Sequence, residues 1–249
     1  MSGFFFGSVD RQLFGFHHLP AGTPVGAVVI CSPWGSEYQY AHRALRVSAV
    51  RLAERGLHVL RFDYSGVGDS WGDTTVGDMS IWTEDVGQAI EELRARSGFA
   101  HVDLLGLRIG AVLAAIAASV RTDVRRVAMW DPVIDGRAWS NTMRAPSTLR
   151  GDHATGSPVE FGSRRVSRAL VQQFRSVGPE SYPAHGAVRV LLLQTTDGEV
   201  AAGGLLPHVR NLEARVLHDV SPWLEDPSIW SGLIPTRAVG ALCDWLGET

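Results

Sequence analysis

Lysine is absent from the 249 residues, so all 23 basic side chains are arginine. That excludes Schiff-base and amine-nucleophile chemistry, because a guanidinium stays protonated and has no lone pair with which to attack. Cysteine is nearly as scarce. Cys31 lies in the apolar run Gly26 to Ser32 and Cys243 in an apolar stretch near the C-terminus, so each reads as a small buried hydrophobe rather than half of a disulfide. No stretch approaches the roughly 20 apolar residues of a membrane span. The opening Met1-Ser2-Gly3-Phe4-Phe5-Phe6-Gly7 is too short an apolar run for a signal-peptide core and has no basic residue before it. A soluble, cytoplasmic protein is expected. Charge of one sign is not in excess either: the net charge is −3 with arginines scattered along the chain, which gives no electrostatic reason to expect nucleic acid or a membrane as partner. Dinucleotide fingerprints, Walker loops and metal-ligand spacings are missing, so neither a cofactor nor a metal is implied.

What is present is apolar material for one sizeable core, 45% of residues, with no composition break to suggest a second. Gln12 to His18, the turn Pro20-Ala21-Gly22-Thr23-Pro24 and the run Ala27 to Cys31 read as a hairpin entering a sheet. Helical spacing from Ala41 to Arg55, Gly56 at the C-cap place and the strand Leu57 to Phe62 then give strand, helix, strand. The alternation continues with a helix over Ile81 to Arg96, a strand over Val102 to Leu105, a helix over Ile109 to Val120 and a strand over Arg126 to Trp130. It breaks at 135–186, a candidate lid insertion rich in Arg, Ser, Gly and Pro. Strands over Val188 to Gln194 and Ala214 to Val220 and a helix from Pro235 to Leu246 follow. The expectation is an α/β protein of one domain, 1–249, with a mostly parallel sheet and helices on both faces.

Chemistry concentrates at Gly106-Leu107-Arg108-Ile109-Gly110, which joins a strand directly to a helix. Glycines two residues either side of the centre are what a tight strand-to-helix turn needs when it holds one side chain at the apex. Cys31-Ser32-Pro33-Trp34-Gly35-Ser36-Glu37 follows the third strand. Arg61-Phe62-Asp63-Tyr64-Ser65-Gly66-Val67-Gly68-Asp69-Ser70 follows the fourth and has the form D-x-x-G-x-G-x-S. Together these motifs resemble the α/β-hydrolase superfamily over nearly the whole chain outside 135–186, and the Gly-Leu-Arg-x-Gly elbow is similar to that of hydrolase-like proteins associated with exosortase systems. The resemblance implies a nucleophile elbow with Arg108 where that superfamily carries serine, and an oxyanion hole formed by the backbone amides of Ile109 and of the Trp34-Gly35 loop.

The other triad positions are then Asp197, after Val190 to Gln194, and a histidine after the last strand. Asp197 before Gly198 is equally an ordinary turn residue, and in a buried site it is a candidate to pair with Arg108. The loop after the last strand has no histidine; His218 just upstream is the nearest substitute, with a structural role as its other reading. Glu37, Tyr38 and His42 follow the oxyanion loop and are candidates to line a pocket, as are Trp34, Trp139, Trp223 and Trp230. Asp63 and Asp69 read as turn-holding residues, and Asp152-His153 as a possible acid-base pair. With a guanidinium at the elbow, acyl transfer through residue 108 is excluded. Three functions stay open: a non-hydrolytic isomerase, epimerase or cyclase acting on a carbonyl- or carboxylate-bearing natural-product or peptide intermediate, an inactive binding or scaffold protein for an acyl or peptidyl ligand, and a hydrolase with an unrecognised nucleophile.

Overall fold

The structure, a computed structural model, describes residues 2–143, 158–162, 164–182, 188–195, 204–205, 208–224 and 233–248. Eight strands form one sheet: β1 (Ser2–Ser8), β2 (Arg11–His18), β3 (Gly26–Cys31), β4 (Leu57–Phe62), β5 (Val102–Leu107), β6 (Val124–Trp130), β9 (Arg189–Gln194) and β10 (Leu212–Val216). Their order across the sheet is β1-β2-β4-β3-β5-β6-β9-β10. From β4 to β10 every pairing is parallel, while β1 pairs antiparallel with β2 and β2 with β4.

The hairpin expected between 12–18 and 27–31 therefore does not form. β2 turns back on β1, and its inner neighbour is β4, because β3 is occupied on both edges by parallel partners reached through helical crossovers. Strand β3 is buried along its whole length, as are β4 and β5, which accounts for their unbroken apolar character.

Two apolar layers follow from alternation along these strands. Val28, Ile30, Val59, Leu105 and Leu107 point to one face, where α1 (Ser36–Glu54) and α6 (Thr236–Gly247) cover them. Val29, Leu60, Leu104, Val127 and Met129 point to the other, against α2 (Met79–Ser97) and α3 (Ile109–Ser119). Asp78 starts α2 by accepting from the amides of Ser80 and Ile81, and Gly98 ends it in the left-handed conformation. Cys31 and Cys243 are free and buried in different layers, and burial pushes their thiols up to about 12 and about 11.

Segment 135–186 contributes α4 (Gly136–Thr142), the short hairpin β7 (Val159–Phe161) and β8 (Arg164–Val166), α5 (Arg168–Arg175) and a 3-10 turn at Pro179–Ser181. Its Trp139, Phe161, Leu170, Phe174 and Tyr182 belong to the same apolar layer as α2 and α3. Trp34 stacks on Phe161 at 5.8 Å and lies 5.4 Å from Phe174. The described part of this segment is thus packed over the loop that follows β3 through Phe161 and Phe174.

Candidate active site

Strand β5 ends at Leu107 and α3 begins at Ile109, leaving Arg108 alone at the turn with φ 55 and ψ −122. A non-glycine residue in that region is strained by about 1–3 kcal/mol. The two flanking glycines explain why the strain is tolerated there. A Cβ on Gly106 would stand 2.4 Å from Ala111 Cα, and one on Gly110 would stand 2.3 Å from the Cys31 carbonyl oxygen and 2.5 Å from that of Ser32. Only glycine lets α3 start so close to β5 and to the loop after β3.

Arg108 points into a buried carboxylate. Its Nε donates to Glu37 Oε1 at 2.9 Å, and its Nη1 donates to the Asp131 carbonyl at 2.8 Å. Glu37 is placed by the first turn of α1, directly after the loop carrying Trp34 and Gly35. Trp139 of α4 donates from Nε1 to the same Glu37 Oε1 at 2.9 Å. The other oxygen, Oε2, is buried with no hydrogen-bond partner among the described residues. Burial raises the pKa of this carboxyl, while the Arg108 charge and the bonds from Trp139 and Arg108 oppose the rise. Of the five N–H groups of Arg108, one on Nη1 and both on Nη2 have no acceptor among the described residues, and 12% of the side chain is open.

Asp131, at the end of β6, supports the arginine from the other side. Its backbone sits at φ 42. Its Oδ1 accepts from the Thr195 amide at 2.8 Å, and its Oδ2 accepts from the Thr195 hydroxyl at 2.5 Å and from Trp223 Nε1 at 3.0 Å. Ser221 hydrogen-bonds the Thr195 hydroxyl in turn. Burial raises the Asp131 pKa and these bonds work against it. Two indole N–H groups thus hold the two acidic residues that flank Arg108.

Trp34, Gly35, Glu37, Arg108 and Ile109 meet at one place, the C-terminal edge of β3 and β5. Gly35 adopts φ 69, and a Cβ there would stand 3.2 Å from Met143 Cε. Arg108 makes no side-chain cap on α3, and Ala111 donates to the Arg108 carbonyl at 3.0 Å, which leaves the Ile109 and Gly110 amides at the helix start without intrahelical partners. Tyr38 turns elsewhere: its hydroxyl donates to Asp63 Oδ1 at 2.6 Å, and burial together with the Asp63 charge raises its pKa. Asp63 also accepts from the Asp69 amide, holding the glycine-rich turn. Trp223 serves Asp131 and meets Trp130 edge-on at 4.8 Å. β10 ends at Val216, short of the expected Val220, so His218 lies in the loop after the last strand and not upstream of it; it is exposed, with its carbonyl 3.5 Å from Arg237 Nη1. Asp197, Asp152, His153 and Trp230 lie outside the described residues. Among the described residues, the carboxylate against Arg108 is Glu37, bonded through Nε. Asp131 and Thr195 were not singled out in the sequence; their signal is that both directly follow strands on the edge that carries Arg108.

This architecture and elbow define an α/β-hydrolase-fold protein. The family model described as serine aminopeptidase, S33 matches residues 22–174, and the chain belongs to that family. Among solved structures, the fold is similar to that of a putative hydrolase from Agrobacterium vitis, at 19% identity over 99% of this chain and 98% of the other, with a TM-score of 0.64. It is also similar to ferulic acid-bound Est1E from Butyrivibrio proteoclasticus, at 13% identity over 98% and 96%, with a TM-score of 0.71. The esterase domain of a Rhodothermus marinus protein aligns at 20% identity over 99% and 97%, with a TM-score of 0.66. No curated protein sequence matches the chain. No helix among the described residues is long and apolar enough to cross a membrane.

Proposed function

We propose that the chain is a non-hydrolytic α/β-hydrolase-fold enzyme of the isomerase, epimerase or cyclase kind, moving a proton on a small carbonyl- or carboxylate-bearing molecule or peptide. In this reading Arg108 takes the place of the nucleophile, as its likeness to the exosortase-associated Gly-Leu-Arg-x-Gly elbow suggests. The observation that carries it is the Glu37 carboxyl, buried against Arg108 with one oxygen unpartnered among the described residues and its proton affinity raised by burial. A carboxylate so placed is a general base shifted toward neutrality, the shift expected of proton-transfer residues.

The three unengaged N–H groups of Arg108 would hold the substrate carbonyl or carboxylate oxygen. Glu37 Oε2 would take the proton from the adjacent carbon, leaving an enolate whose charge faces the guanidinium and the first amides of α3. Delivery of the proton from Glu37 to a second atom of the enolate completes an isomerisation, exchange of the Glu37 proton with solvent before its return carries deuterium to the first carbon, and no water enters the product.

The test is incubation in deuterium oxide with a panel of 2-oxo acids and α-aminoacyl peptides. Deuterium should enter at the carbon next to the carbonyl with the native protein, and Glu37→Gln should abolish it. A second reading, a ligand-binding protein without turnover, is favoured by the enclosure of Glu37 beneath Trp139. It predicts ligand binding that Arg108→Ala abolishes, with no exchange. Covalent labelling of a serine by a fluorophosphonate probe would instead revive a hydrolase and overturn both readings.

A further inference from the structure

On the α1 face of the sheet, beyond the Arg108 cluster, a recess is lined by Phe14 and Phe16 of β2, Arg61 of β4, Tyr38 and His42 of α1, and Asp63. Its unusual member is Arg61. The residue is buried, yet no carboxylate lies within ion-pair distance of it among the described residues. Its Nε donates to His18 Nε2 at 3.3 Å, and its guanidinium lies 5.5 Å from the centre of the Phe16 ring. Neither contact supplies a negative charge, and the terminal Nη1 and Nη2 atoms have no acceptor among the described residues. A buried cation is costly unless something pairs with it.

The surroundings favour an anion over any other guest. Arg46 adds a second positive charge near Arg61, and the one carboxylate of the lining, Asp63, acts on Arg61 in the opposite sense from beyond ion-pair distance. His18 is held neutral, its pKa lowered to about 4 by burial and by Arg61. The one acidic group, Asp63, already accepts from the Tyr38 hydroxyl and the Asp69 amide. Phe14 and Phe16, with Leu45 behind them, supply an apolar wall.

We propose that this recess is a second ligand site, which binds a small carboxylate with an aromatic or aliphatic body, the carboxylate on the Arg61 Nη atoms and the body against Phe14 and Phe16. The proposal is independent of what happens at Arg108.

Benzoate is the probe, titrated against the full chain by calorimetry with benzyl alcohol as the uncharged control. Saturable benzoate binding is expected, with benzyl alcohol at least tenfold weaker. Arg61→Met should weaken benzoate at least tenfold, and Arg189→Met, at an exposed arginine away from the recess, should leave it unchanged. His42→Trp, which fills the mouth from an exposed position, should weaken it too and serves where Arg61→Met does not fold. Equal binding of benzyl alcohol, indifference to both Arg61→Met and His42→Trp, or an equal loss with Arg189→Met would overturn the proposal.

Discussion

At Arg108 two costs meet, a strained backbone and a charge buried to 12% exposure. They are offset by a matched partner in Glu37 and by the Asp131 carbonyl. Removing one member of such a pair leaves the other charged and desolvated, a loss of about 3–5 kcal/mol, whereas replacing both with apolar groups is often near neutral. Arg108→Met should therefore destabilise strongly, and Glu37→Leu combined with Arg108→Met should recover most of the loss in urea denaturation. The pH dependence has a defined sign. Glu37 has a folded-state pKa above its unfolded value, so its contribution is complete below about pH 4.5 and is lost as pH rises through the folded pKa. Arg108→Met removes the charge that opposes this rise, so the fall in stability with increasing pH should become steeper than in the native protein. A parallel pair of stability curves would show that Arg108 does not control the Glu37 proton.

Elements position that pair through backbone rather than side chains. The start of α3 is set by the approach of Gly110 to two carbonyl oxygens, neither of which can rotate away. Gly110→Ala should accordingly abolish folding or cost several kcal/mol in thermal unfolding, although it adds one methyl group to a helix. At the opposite edge of the sheet, Arg126 of β6 is 3% exposed and reaches Asp103 of β5 at 2.6 Å. The same guanidinium donates to the carbonyls of Trp245, Leu246 and Glu248, so it ties the last turn of α6 to the sheet. Arg126→Met should cost about 3–5 kcal/mol, since Asp103 is left buried, with only the half-exposed Arg125 near it. Hydrogen exchange should localise the loosening to 236–247.

The sequence made much of this legible. The run of strands and helices from Ala27 to Trp130 could be read because buried parallel strands are apolar throughout and the crossover helices carry one apolar stripe. The elbow could be read because Gly106 and Gly110 are sterically forced. Pairing could not: nothing local in β2 reveals that β4 is its neighbour. The ion pair was hidden for a related reason, since Glu37 and Arg108 are 71 residues apart and a glutamate in a first helical turn has an ordinary dipole role.

Over the whole molecule, the parallel sheet has both faces covered, and the antiparallel strands β1 and β2 close one edge of it. That closure carries polar groups inward on both faces of β2. His17 shares a 3.0 Å hydrogen bond with His58 and stacks on it, while His18 accepts from Arg61 on the opposite face. Burial lowers the pKa of both His17 and His18 from 6.5 to about 4, with His58 adding to the effect on the first and Arg61 on the second. A depressed pKa in the folded state means that the unfolded chain binds more protons between those values. The stabilisation from keeping these rings neutral is thus complete above about pH 6.5 and is lost as pH falls toward 4. The melting temperature should drop across that window, well before most carboxylates titrate. Replacing the facing pair with His17→Phe and His58→Leu keeps the layer apolar and removes two groups whose pKa burial lowers, leaving His18. That variant should lose distinctly less stability than the native chain between pH 6.5 and 4. An unchanged slope would mean that the β1–β2 edge opens without limiting the unfolding of the sheet.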